Sequence, residues 1–175
     1  FGLHVAEKAE SQENCFVADQ KYQHFLDEYL PSEAKTPGQI VDTQGNVLGE
    51  HQGLYRYTIG QRRGLGIAMG TPRYVVALQP DTNRVVIGEN HELFSQEFVV
   101  RNLNFMAIDA VRNPMAVQVK IRYRHPATPA TIRPGSHADE VQVSLAAPQR
   151  AVTSGQSAVF YDGDTIVGGG IIAGT

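Results

Sequence analysis

Ala116-Val117-Gln118-Val119-Lys120-Ile121-Arg122-Tyr123 alternates without a break. Val117, Val119, Ile121 and Tyr123 fall on one face. Gln118, Lys120, Arg122 and, one step further, Arg124 fall on the other. A period of two sustained over a run of this length marks a half-buried β-strand. The same grammar extends in both directions. Ile40-Val41 and Val47-Leu48 flank Thr43-Gln44-Gly45-Asn46, a hairpin signal, and Tyr74 to Leu78 and Arg84 to Ile87 flank a second turn at 79–83. Phe98 to Val100, Ala130 to Arg133, Glu140 to Leu145 and Ala158 to Tyr161 read as further strands, and Asp162-Gly163 turns tightly into Thr165-Ile166-Val167. Short strands at near-regular spacing, separated by Gly and Pro turns, predict small β-barrels.

One helix precedes this β series. Asp19 is placed to cap it, Tyr22, Phe25, Leu26 and Tyr29 make an apolar stripe, and Pro31 stops it. Cys15 to Ala18 reads as a short apolar strand or buried loop. Residues 31–39 read as a linker, and residues 88–96, which lack alternation, mark a boundary. The expected fold is therefore mainly β. A short helical segment lies within 1–31, a small central β domain covers 32–90, and a β-barrel covers 94–175.

The chain has 175 residues and a net charge of −3, but the charge is unevenly spread. Residues 1–50 carry nine acids and three bases, residues 51–135 five acids and eleven bases, and residues 136–175 four acids and one base. The basic middle reads either as a local footprint for a polyanion or as an arginine belt that offsets acidic flanks. The single cysteine, Cys15, excludes an intramolecular disulfide and a multi-thiolate zinc site within this chain. The six histidines show no metal-ligand spacing. No apolar run is long enough for a membrane span, so a soluble, cytoplasmic setting is expected. The chain opens on Phe1, which reads as a piece of a longer protein.

Three features carry candidate chemistry. Tyr57 to Gly70 holds Gly60, Gly64, Gly66 and Gly70 beside Arg62 and Arg63. Bare amides with guanidinium groups suit phosphate or RNA backbone, whereas the same glycines also let strands bend sharply. No Gly-Lys-Ser/Thr follows, so this is not a Walker loop. Second, Arg122-Tyr123-Arg124 offers two cations around an aromatic plane in a stretch without acids. That pattern suits RNA phosphates and stacked bases, or else is a solvated strand face with Tyr123 in the core. Third, Cys15 is either a small buried hydrophobe or a nucleophile and sulfur carrier. The pairs Asp27/Glu28 and Asp139/Glu140 read as solvated surface.

Together these segments resemble the tRNA-specific 2-thiouridylase family. The resemblance is carried by Glu13-Asn14-Cys15-Phe16-Val17, by Phe25 to Pro31, by Gly49 to Gly53 and by Tyr57 to Gly66. It continues through Arg122-Tyr123-Arg124, Pro148 to Ala151, Gly155-Gln156 and Val159 to Gly163, and closes on Gly168 to Ile171. It implies an ATP-dependent tRNA sulfurtransferase that makes 2-thiouridine at the wobble position of the Lys, Glu and Gln tRNAs. ATP would be bound by an N-terminal adenylating domain that this chain lacks, together with a first cysteine that forms a disulfide bond with the persulfide cysteine. Cys15 matches the persulfide position. Arg122, Tyr123 and Gln156 match tRNA contacts, with Arg62, Arg63 and Arg124 as further candidates. A sulfur-relay protein or cysteine desulfurase would be the partner, and the C-terminal barrel would be like those of translation factors. Alone, the fragment would be inactive. The competing reading is a non-catalytic tandem β-domain module that binds RNA or protein, with Cys15 inert.

Overall fold

The computed structural model describes residues 22–67, 70–123, 125–137 and 139–174. The Asp19 cap and the Cys15 to Ala18 segment lie outside the described residues. Helix α1 runs Tyr22–Tyr29 and stops two residues before Pro31. Its stripe is not wholly covered, since Tyr29 is 68 % exposed. The expected linker is partly ordered structure. Ser32–Lys35 forms a 3-10 turn, and strand β1 (Gly38–Asp42) already starts at Gly38.

β1 belongs to a four-stranded sheet with β2 (Val47–His51), β3 (Tyr74–Gln79) and β4 (Arg84–Gly88), in the order β2-β1-β4-β3. Both expected hairpins are present, and β1 and β4 pair in parallel at the centre. Ile40, Leu65, Val75, Val85 and Ile87 fill the core of this sheet. Leu65 reaches it from the glycine-rich loop, so that loop is pinned to the sheet by an apolar anchor. His51, wholly buried, was not expected there. Its Nδ1 accepts from the Gly53 amide at 3.1 Å, which leaves Nε2 as the donor to the Asn83 carbonyl at 3.1 Å. The ring thus ties β2 to the β3–β4 turn.

The boundary at 88–96 contains a 3-10 turn, Asn90–Leu93, closed by a reciprocal capping box between Glu89 and Glu92. Strand β5 (Phe94–Phe105) follows at once. It opens a closed barrel with β6 (Met115–Lys120), β7 (Thr128–Pro134), β8 (Glu140–Arg150), β9 (Ser157–Asp162) and β10 (Thr165–Gly174), ordered β10-β5-β8-β7-β6-β9. Closure leaves no open edge for other chains to pair with. The core is aliphatic around Phe160, which is wholly buried with Val100, Ile132, Val141 and Val143. Three consecutive glycines let β10 pass close to both neighbours. A Cβ on Gly168 would stand 2.6 Å from the Asn104 carbonyl of β5, and one on Gly169 2.6 Å from the Ala158 carbonyl of β9.

Two expectations are corrected here. The alternation that identifies β6 holds through Ile121, which is 7 % exposed, and then fails, because the strand ends at Lys120 and the chain turns. The His125 amide closes that turn on the Arg122 carbonyl. Tyr123 therefore leaves the core face and is 68 % exposed. The acidic pairs also hold more than solvent. Asp27 accepts from the Tyr55 hydroxyl and from Arg56 Nη2 at 2.8 Å. Glu140 is buried and takes Arg101 Nε–H at 2.9 Å.

That Arg101 bond holds the Glu140 carboxyl below its ordinary value of 4.5. A depressed folded-state value means that the unfolded chain takes up its proton first as pH falls. The contribution of this pair is complete above about pH 4.5 and lost on further acidification. Glu140→Gln should lower the urea midpoint at pH 7 and leave it nearly unchanged near pH 3. An equal deficit at both values would show that charge is not what this pair supplies.

Candidate nucleic-acid interface

β6 and β9 run antiparallel, with Lys120 opposite Val159. The end of β6 therefore meets the start of β9. Residues 120–123 and 155–157 come together there around an open cleft of about 650 Å³, lined also by Val159 and Tyr161. Among the described residues no acidic side chain lines it. Arg122, Tyr123 and Gln156, three of the candidates, share this one cleft although 34 positions separate the first from the last.

Each is held by its backbone surroundings. The 153–156 turn is closed by the Gln156 amide on the Thr153 carbonyl, and the Ile172 amide donates to the Gln156 carbonyl at 2.8 Å. The Gln156 main chain is thereby fixed while its side chain stays exposed. Arg122 is half-buried, and its Nη2 donates to the Ala151 carbonyl, which also accepts from Thr153 Oγ1 at 2.9 Å. One bond of this kind orients a guanidinium that has five N–H donors. Lys120 Nζ lies 5.5 Å from the centroid of the Tyr123 ring, a cation–π contact that steadies the exposed plane. The cleft thus offers two aromatic rings, Tyr123 and Tyr161, with two cations and an amide, a set suited to a stacked base beside phosphates.

Arg62 and Arg63 are exposed and stand apart from this cleft. Arg62 lines a different one, with Gly64, Gly66 and Arg73. The glycine-rich loop that carries them is braced at its start by Tyr57, whose ring packs edge-on 5.7 Å from His51 and whose phenol is pushed up by burial. Cys15 and Arg124 lie outside the described residues.

A family model described as a tRNA methyl transferase PRC-barrel domain matches residues 23–89, and one described as an aminomethyltransferase β-barrel domain matches residues 95–172. The tRNA-specific 2-thiouridylase MnmA of Acetivibrio thermocellus is 52 % identical over 171 residues, which cover 98 % of this chain and 47 % of that protein. The proteins of the same name from Halothermothrix orenii and Lachnoclostridium phytofermentans are 50 % and 49 % identical over 98 % of this chain and 48 % and 47 % of their own lengths. The chain belongs to the tRNA-specific 2-thiouridylase family. It spans about half the length of the curated relatives it matches. In this chain the mainly β reading stands, with a closed six-stranded barrel in its second part. Among the described residues no helix is long and apolar enough to cross a membrane.

Two further side chains are not marked by the sequence pattern. Tyr161 enters the cleft from β9, although its position in an alternating strand carries no mark of a ligand contact. Arg150 covers the Tyr74 ring at 5.3 Å and joins barrel to sheet. Only their places in space single them out.

Proposed function

We propose that the chain is part of an ATP-dependent tRNA sulfurtransferase, and that it supplies the sulfur-carrying cysteine and tRNA-binding surface. The observation that carries this reading is the cleft that joins Arg122, Tyr123 and Gln156 on a chain of the 2-thiouridylase family. ATP is assigned to the part of the enzyme outside this chain. There the C2 oxygen of the wobble uridine attacks the α-phosphorus and pyrophosphate leaves. The terminal sulfur of a Cys15 persulfide then adds to C2, and AMP departs with the oxygen. A second cysteine thiolate attacks the inner sulfur of Cys15, which breaks the S–S bond, leaves sulfur on the base and forms a protein disulfide. A thiol reductant returns that disulfide to two thiols, itself being oxidised to a disulfide, and a cysteine desulfurase or relay protein then reloads Cys15. The expected substrates are the Lys, Glu and Gln tRNAs, in the cytoplasm.

The basic cleft is tested by binding against salt in the full-length enzyme. Phosphate contacts are sequence-independent and salt-sensitive. Arg122→Ala should weaken tRNA binding and flatten the log–log salt slope by about one for each lost phosphate contact. Lys8→Ala, in the acidic segment, is the control. Tyr123→Phe should bind normally, and Tyr123→Ala should lose about 1–3 kcal/mol if a base stacks there. Because the ring is exposed, neither change should move the melting temperature appreciably. Equal, negligible effects of Arg122→Ala and Lys8→Ala would make this face ordinary solvated surface.

A further inference from the structure

The second cleft, about 470 Å³, lies on the central sheet between the glycine-rich loop and Arg73. Arg62, Gly64, Gly66, Thr71 and Arg73 line it, and among the described residues no acid does. Its loop is preorganised. The Gly60 amide donates to the Val75 carbonyl at 2.8 Å, and the Val75 amide returns a bond to Gln61 at 2.9 Å. The Gln61 side chain accepts from the Thr58 amide and donates to the Arg63 carbonyl, both at 3.0 Å. Leu65, 6 % exposed, plugs the core between two left-handed residues, Gly64 at φ 71° and Gly66 at φ 69°. An added Cβ would meet nothing within 4 Å at Gly66, so that glycine serves the backbone turn and leaves main chain uncovered.

Arg73 supplies the second observation. Its Nε is buried and has no hydrogen-bond partner among the described protein atoms. Its Nη1 stands 3.5 Å from Glu89 Oε1, so the guanidinium is only half-used. A buried charged donor left unpaired is costly, and a ligand oxygen would relieve that cost. On its other side Arg73 borders a cleft lined by Asp42, Glu89 and Glu92, whose carboxylates exclude an anion. Of these two sides, the one that Arg62 lines is the favourable approach for an anion.

We propose that this cleft is a phosphate-binding site, in which the Arg73 fork and Arg62 grip one phosphate group beside the Gly64–Gly66 main chain. The shared chemistry is a phosphate oxyanion, carried either by an RNA backbone or by free phosphate. The RNA source rests on the function proposed above, whereas the free-phosphate source does not. Guanidinium forks match phosphate geometry in a way that an ammonium does not, so Arg73→Lys keeps the charge facing Glu89 and removes the Nε donor.

The test is an NMR titration of the chain with inorganic phosphate and, separately, with a short single-stranded oligouridylate. The Gly64 and Gly66 amides are the reporters. Both glycines should shift, and Arg73→Lys and Arg62→Ala should each weaken binding about tenfold or more. Arg133→Ala, an exposed arginine on β7, should change nothing at these reporters. A response to oligouridylate alone assigns the site to RNA backbone, and a response to phosphate alone assigns it to a free anion. Unmoved glycines with both ligands at millimolar concentration would overturn the proposal, as would unchanged affinity in a folded Arg73→Lys variant. If RNA binds through Arg122 while Gly64 and Gly66 stay still, this site fails and the proposed function survives. If the glycines respond while Arg122→Ala leaves RNA binding intact, the reverse holds.

Discussion

Cys15→Ser in the full-length protein should reduce 2-thiouridine formation to background while tRNA binding persists. Cys15 is the chain's only cysteine, so no neighbouring thiol of this segment can replace it. A serine hydroxyl cannot hold a sulfane sulfur. It is also a far weaker nucleophile at neutral pH than a persulfide, whose terminal sulfur ionises readily. The loss should therefore be complete rather than graded, and Cys15→Ala should match it. Mass spectrometry supplies an independent readout. After exposure to a cysteine desulfurase, the Cys15 peptide should gain one sulfur in the wild type and none in the variant. Wild-type 2-thiouridine levels in Cys15→Ser would remove the carrier role and leave the chain as a binding module with an inert cysteine.

The parts legible in the sequence were those with a local cause. Val117 and Val119 announce β6 because pleating alone sets their direction, and Gly45, Asn83 and Gly163 mark turns because they adopt positive φ. The rest depended on partners far along the chain. β8 runs on to Arg150 through exposed Ala146, Ala147 and Pro148, since β5 pairs with it as far as Phe94. Asp27 and Glu140 look like surface acids until Arg56 and Arg101 arrive from 29 and 39 residues away. Arg122 was expected to continue the strand face that carries Lys120. The turn after Lys120 ends that face, and it puts Tyr123 in solvent rather than in the core. Gln156 reaches Tyr123 only through the β6–β9 register. Arg73 carries no sequence signal, for one arginine after Pro72 is unremarkable until its unpaired Nε is seen.

Phe160→Ala is the structural change expected to cost most. The side chain is wholly buried at the centre of the barrel core, on the strand that carries Val159 and Tyr161 to the Arg122 cleft. Removing it forfeits transfer energy and leaves a cavity that a closed six-stranded barrel can collapse only in part. The loss should be about 3–5 kcal/mol, or about 12–40 °C in the transition that reports the barrel. Phe160→Leu should recover much of it. The central sheet has its own core, built on Ile40, Val75 and Val85. Amide exchange should therefore quicken at Val119 and Val143 and change little at Ile40 and Val85, as expected when separate cores open as separate units. The consequence for RNA differs from that of Arg122→Ala. The cations remain and only their placement loosens, so tRNA affinity should fall while the salt slope is kept. A loss under about 1 kcal/mol would mean that the barrel refills the space. Uniform loss of exchange protection in both cores would show instead that sheet and barrel unfold as one unit, tied through contacts such as the Ala151 amide on the Leu93 carbonyl at 2.7 Å.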